Sequence, residues 1–150
     1  MYQRILVPVD GSEVSAIGLR EAMRLAREQH AKVRVIHVVN EMAMIAAYEG
    51  TIYSNELIQT LRDSGNKVLM KASDQVKSAG VQVETALLEA HGGSAGDAIV
   101  KDAQQWPADI IVLGTHGRRG MARLLMGSDA EQVIRHATVP VLLVKTPIHT

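Results

Sequence analysis

The sequence predicts an α/β protein of the doubly wound class, a single domain in which helices cover both faces of a parallel sheet. Three observations predict it. Short apolar runs rich in β-branched residues recur five times, as expected of strands covered on both faces. Four stretches with apolar residues at helical spacing alternate with them. The helix-to-strand links are short, which fits βαβ crossovers and hence parallel strands.

The elements follow in order. Residues 4–9 form the first run, and Pro8 should end it because proline cannot donate to a ladder. Asp10-Gly-Ser12 is turn chemistry, with Asp10 or Ser12 able to cap the next helix. There Val14, Leu19, Ala22, Met23, Leu25 and Ala26 share one face and Arg20, Glu21, Arg24, Arg27 and Glu28 the other, with Ile17 alone misplaced. Residues 31–39 read as the second strand. Residues 40–54 show no period and form a long connection, a candidate lid or partner surface. Leu57, Leu61, Val68, Leu69, Ala72, Val76 and Ala79 then repeat on one helical face, interrupted by Gly65. Gly80 stops that helix, and residues 81–87 alternate as a third strand. A helix over 95–103 closes at Trp106-Pro107. Residues 108–113 form the fourth strand, 130–137 the last helix and 140–144 the fifth strand.

Composition narrows the function classes. Sixteen basic residues balance sixteen acidic ones, so nothing favours bulk attraction to nucleic acid or membrane. Cysteine is absent, which excludes disulfides, thiolate metal sites and thiol catalysis. No apolar run nears the roughly 20 residues of a membrane span, and the N-terminus shows no signal-peptide core. The expectation is a cytoplasmic protein.

The stretch Gly114-Thr-His-Gly117-Arg-Arg-Gly120-Met-Ala-Arg-Leu-Leu-Met-Gly127-Ser128 joins the fourth strand to the last helix. A helix N-terminus offers unpaired N–H groups and a positive dipole end, which suit a phosphate. Glycines allow positive φ and close backbone approach to a ligand.

Gly114, Gly117, Gly127 and Ser128 give G-x2-G-x9-G-S, which resembles the nucleotide loop of the universal stress protein family. Ile5-Leu-Val-Pro8-Val-Asp10-Gly-Ser12 resembles that family's first strand and turn, and Ala137-Thr-Val-Pro140-Val-Leu-Leu-Val144 its last strand. The resemblance covers nearly the whole chain. It implies sheet order 3-2-1-4-5 and the adenine nucleotide alpha hydrolase-like fold. In that order the chain reverses between strands 1 and 4, and ligands bind at such a switch point, outside the strands' carboxyl ends.

By resemblance the ligand is an adenine nucleotide, ATP with Mg2+ as a possible companion. Pro8, Val9, Asp10, Val38 and Val39 then line the nucleoside, with Asp10 accepting from a ribose hydroxyl or base amine. Leu113 ends the fourth strand at the same place, with Gly114 and Thr115 directly after it. Backbone N–H groups of Gly117, Gly127 and Ser128 cradle phosphates, with Ala130 in the first helical turn; the Ser128 hydroxyl either donates too or caps the helix. Arg118, Arg119 and Arg123 either reach phosphate or form a solvated face. Family members that bind nucleotide usually carry an uncharged residue where this chain has Asp129. Three outcomes stay open: Asp129 faces away, helps hold Mg2+, or weakens triphosphate binding.

His116 has no carboxylate partner indicated by sequence, and His30, His37, His91, His136 and His149 lack metal-ligand spacing. Neither a Walker A lysine nor a base with an orienting partner is found, so the expectation is a regulatory binding protein, at most a slow ATP hydrolase. The competing reading is an interaction module of the same fold without nucleotide. Finally, strand 5 should be a sheet edge. Its Val139-Pro-Val-Leu-Leu-Val144 has no internal charge, which suggests a homodimer through that strand unless the tail folds over it.

Overall fold

The computed structural model describes residues 1–40, 55–90, 92–115 and 127–145. Nine elements alternate along the described chain: β1 (Arg4–Pro8), α1 (Glu13–Gln29), β2 (Lys32–Asn40), α2 (Asn55–Ser78), β3 (Val83–Ala90), α3 (Ala95–Gln105), β4 (Ile110–Thr115), α4 (Ser128–His136) and β5 (Val141–Lys145). All strands pair in parallel, in the order β3-β2-β1-β4-β5. Ile5 stands opposite Val33 on one side and Ile110 on the other. The predicted fold class and order are therefore those observed.

Alternate strand residues feed two cores, as the two-residue period requires. Ile5 and Val7 join Leu19, Ala22 and Ala26 of α1 and Leu69, Ala72 and Val76 of α2 on one face. Leu6 joins Ile99, Val100 and Ala103 of α3 and Val133 of α4 on the other. Ile5, Leu6, Val7, Ile36 and Ile111 are fully buried, each contributing about 1.5–3 kcal/mol of transfer free energy.

Three strands begin one or two residues later than the apolar runs suggest, for one reason. The N–H groups of Ala31, Val81 and Ala108 donate to the carbonyls of Ala26, Val76 and Ala103, each five residues back. This six-to-one bond closes a helix end and occupies the first apolar residue beyond it. His30 (φ 54°) and Gly80 (φ 78°) supply the left-handed turn for the first two. Those apolar residues finish helices before the ladders start.

Gly65 does not interrupt α2, which runs unbroken through it. A Cβ at Gly65 would lie 2.7 Å from His37 Cδ2 and 2.8 Å from Leu87 Cδ1. The glycine makes room for side chains of β2 and β3 beneath the helix. Ile17 is half-buried rather than exposed. Of the long connection expected over residues 40–54, Asn40 ends β2 and the remainder lies outside the described residues.

Candidate functional site

Because β1 and β4 are neighbours while their following helices, α1 and α4, pack on opposite faces of the sheet, their carboxyl ends open into a crevice. Its volume is about 260 Å3 between the described walls. Pro8, Val9, Asp10, Val38, Leu113, Gly114, Thr115, Gly127, Asp129 and Ala130 all line it. Val39 does not; it borders a neighbouring cavity that Asp10, His37 and Val38 line too. Ser128 is likewise not on the crevice wall. Gly117, Arg118, Arg119, Arg123 and His116 lie outside the described residues, as do His91 and His149.

Asp10 is held in a tight turn. Its carboxylate accepts from the Ser12 N–H at 2.8 Å, and its own N–H donates to Ser15 Oγ at 3.2 Å. Ser12 caps α1 by accepting from the Ser15 N–H. Gly11 supplies the positive φ, 85°, that the turn needs. Partial burial pushes the Asp10 carboxyl upward, but the hydrogen bonds from Ser12 and Ser15, with His37 nearby, outweigh it and hold the carboxyl below its ordinary value. Asp10 thus stays an ionised acceptor through the physiological range. His37 Nδ1 lies 2.8 Å from the Val9 carbonyl oxygen and fixes the strand end that presents Asp10.

Two of the motif glycines, Gly114 and Gly127, lie among the described residues. Neither Gly114 nor Gly127 has positive φ. A Cβ on Gly114 would fall 2.0 Å from the Val14 carbonyl oxygen, and one on Gly18 would fall 2.7 Å from the Gly114 nitrogen. These two glycines let α1 rest directly on β4. At Gly127 a Cβ would meet nothing within 4 Å among the described residues. Gly127, not Ser128, is the N-cap of α4, with extended φ −63° and ψ 153° and no side-chain cap bond. Ser128 is the first helical residue.

That difference shapes the electrostatics. Ser12 and Ser94 cap α1 and α3 through their hydroxyls, whereas among the described residues no side chain caps α4. Gly127, Asp129 and Ala130 bring the N-terminal turn of α4 to the crevice wall. The Thr115 hydroxyl, in a residue 3% exposed, is buried at the end of β4 without a hydrogen-bond partner among the described residues. Asp10 and Asp129 are the only fully charged side chains among the described lining residues. Ser12, Val14, Ser15, His37, Ala95 and Ile99 complete the wall. Of these, the Ser12-x-x-Ser15 cap was visible beside Asp10, but Ala95 and Ile99 arrive from α3 and needed the three-dimensional fold. Among the described residues no group of three His or acidic side chains could hold a metal alone, and no helix is long and apolar enough to cross a membrane.

Fold and crevice define an open parallel α/β protein with a binding cleft at its switch point. The family comparison is specific: the Universal stress protein family matches residues 1–145. The chain belongs to that family. It is 39% identical to universal stress protein MJ0531 of Methanocaldococcus jannaschii, over 98% of this chain and 84% of that protein. The structure of protein MJ0577 from the same organism superposes with a TM-score of 0.82 at 29% identity, covering 99% of both chains. A universal stress protein from Archaeoglobus fulgidus in complex with dAMP gives 0.69 at 28% identity, over 96% and 98%. Another in complex with cAMP gives 0.66 at 26%, over 97% and 98%.

Proposed function

We propose that this chain is an adenine-nucleotide-binding regulatory protein of the universal stress type, and that ATP is its ligand. The observation that carries the reading is the N-terminus of α4, without a side-chain cap among the described residues, facing Asp10 across the switch-point crevice. Relatives with this fold hold cAMP and dAMP, so nucleotide binding occurs in the family. In the proposed pose the nucleoside lies against Pro8, Val9 and Val38, and Asp10 accepts from a ribose hydroxyl. Gly127 and the first N–H groups of α4 receive phosphate, and Thr115 Oγ1 gains the partner it lacks. Gly117, Arg118 and Arg119 belong to the same proposal by motif.

Mg2+ fits this site only in company with phosphate. Two crevice carboxylates, Asp10 and Asp129, suit an ion that keeps waters and shares phosphate oxygens, rather than a cage built by protein. When bound, the ion would neutralise charge beside Asp129. We assign no catalytic residue, since His37 already directs Nδ1 to the Val9 carbonyl; turnover would be slow hydrolysis at most. The pair of carboxylates also favours a second reading, an interaction module of the same fold that binds no nucleotide. Denaturing the purified protein and separating released nucleotides by anion exchange tests the two. Calorimetry with ATP, GTP and NAD then ranks them. Tighter ATP binding supports the proposal, and equal or stronger GTP or NAD binding overturns it.

A further inference from the structure

The two faces of the sheet carry their helices differently. On one, α3 and α4 touch closely: a Cβ at Gly96 would sit 2.6 Å from Gln132 Cβ and 2.8 Å from the Asp129 carbonyl oxygen. On the other, α1 and α2 are separated by a groove of about 730 Å3, far larger than the crevice. Ala16, Arg20 and Met23 of α1 face Lys67, Met70 and Lys71 of α2 across it. The groove continues along α1 past Arg20 and Met23 to Arg27. From Ala16 to Arg27 is about 16 Å of helix at 1.5 Å per residue, three turns.

Its lining is chemically selective. Arg24 is neutralised by Glu21 and Glu28. Arg20, Arg27, Lys67 and Lys71 make no ion pair among the described residues. Asp74 is the one unpaired acid in the lining. A chain with sixteen basic and sixteen acidic residues therefore concentrates positive charge in this trough. Apolar surface lies between the cations. Met70 is 66% exposed, and Met23 packs only partly against the core. Unbranched thioether side chains adapt to varied partners, and here two of them, Met23 and Met70, line a basic trough.

We propose that the α1–α2 groove receives an acidic amphipathic helix of a partner protein. Its apolar stripe lies on Met23, Met70 and Ala16, and its carboxylates meet Arg20, Lys67, Lys71 and Arg27. A helix of about three turns matches the groove's length, and helix-in-groove docking reads anchors at i, i+3, i+4 and i+7. The inference stands apart from nucleotide binding, because none of these residues lines the crevice.

The test uses full-length protein and a fluorescein-labelled synthetic peptide of about 18 residues, five turns, with Leu at i, i+3, i+4 and i+7 and Glu or Gln elsewhere. Anisotropy should show saturable binding that weakens severalfold when salt rises from about 0.05 to 0.5 M. Lys67→Glu with Lys71→Glu should weaken it at least tenfold, and so should Met70→Asp, while Met70→Leu should retain it. Arg20→Glu gives an independent check from the other helix. Circular dichroism and thermal unfolding should match wild type for every variant, as all four positions are exposed. Equal binding of a scrambled peptide of the same composition would overturn the proposal. Insensitivity to these variants would do so too. Binding of phosphatidylglycerol vesicles or duplex DNA at the groove, without peptide binding, would assign the surface to another partner and reject this one.

Discussion

A Cβ at Gly114 would lie 2.0 Å from a backbone oxygen of α1, with no flexible atom to yield. Gly114→Ala should therefore destabilise the fold by more than about 3 kcal/mol, the upper range for overpacking, in urea denaturation. Gly127 has ordinary dihedrals and open space around it. Gly127→Val should change stability by no more than about 1 kcal/mol while weakening nucleotide binding at least about tenfold, 1.4 kcal/mol. Unchanged affinity would show that α4 does not meet the phosphates. Asp129 tests the same contact by charge: without Mg2+, Asp129→Ala should tighten ATP more than AMP, and more at low salt. If affinity instead falls only when Mg2+ is present, Asp129 belongs to the ion's shell and repulsion is the wrong account. Asp10 has a pH signature. Its carboxyl is held below the ordinary value of 3.8, so its ionised form stabilises the fold above about pH 4, and that contribution is lost as pH falls through the lowered value. The melting-temperature gap between wild type and Asp10→Asn should be constant above about pH 5 and close progressively below pH 4. A gap that persists into stronger acid would mean that the turn's hydrogen bonds do not depend on the charge.

At the scale of elements, β2 and α3 are tied by a side-chain pair that the sequence does not announce. Arg34 Nε and Nη2 donate to the two Asp102 oxygens at 2.8 and 2.9 Å, and the guanidinium lies 5.9 Å from the Trp106 ring centroid. Hydrogen bonding to Asp102 outweighs desolvation and raises the Arg34 pKa. Asp102→Ala leaves a guanidinium at 18% exposure with Glu84, 3.7 Å from Nη1, as its one acidic partner among the described residues. The expected loss is about 3 kcal/mol, at the lower end for breaking a buried pair, read as a shifted urea midpoint. An unchanged midpoint would mean that water replaces Asp102 at no cost. Periodicity and turn residues made the nine elements legible, because both follow from bonds between near neighbours in sequence. What they could not convey depends on distant partners. Gly65 looks like a break until His37 and Leu87 are seen beneath it. Gly114 looks like a ligand loop until α1 is laid across it. Val38 and Val39 look equivalent until the fold brings Val38 to both the crevice and the neighbouring cavity and Val39 to the cavity alone. Even the late strand starts reflect closing bonds between helix ends and residues that hydropathy alone assigns to strands.

At the scale of the molecule, β5 occupies one edge of the described sheet and pairs among the described residues only with β4. Its four apolar residues, Val141, Leu142, Leu143 and Val144, are each half-buried, and the charge comes only at Lys145. Leu142 and Val144 pack against the core on one face of the sheet, and Val141 and Leu143 against the core on the other. Helices thus shelter the side chains, while the outer row of N–H and C=O groups faces away from β4. Such an edge is a template for a further strand. Pro140 blocks only its beginning, and the tail over residues 146–150 lies outside the described residues. We propose that β5 of two chains pair antiparallel about a two-fold axis perpendicular to the sheet, the commonest symmetry of soluble oligomers. Sedimentation velocity of wild type should then show a dimer, and Leu142→Lys a shift toward monomer. Because Leu142 also touches the core, the substitution weakens the fold as well, and a second measurement on unaltered protein separates the effects. Hydrogen exchange of the β5 amides should slow as wild-type concentration rises through the dimerisation midpoint, while amides of the interior strand β1 stay unchanged. A protein that sediments as a monomer at every concentration, or β5 exchange that ignores concentration, would leave this edge unpaired and the proposal refuted.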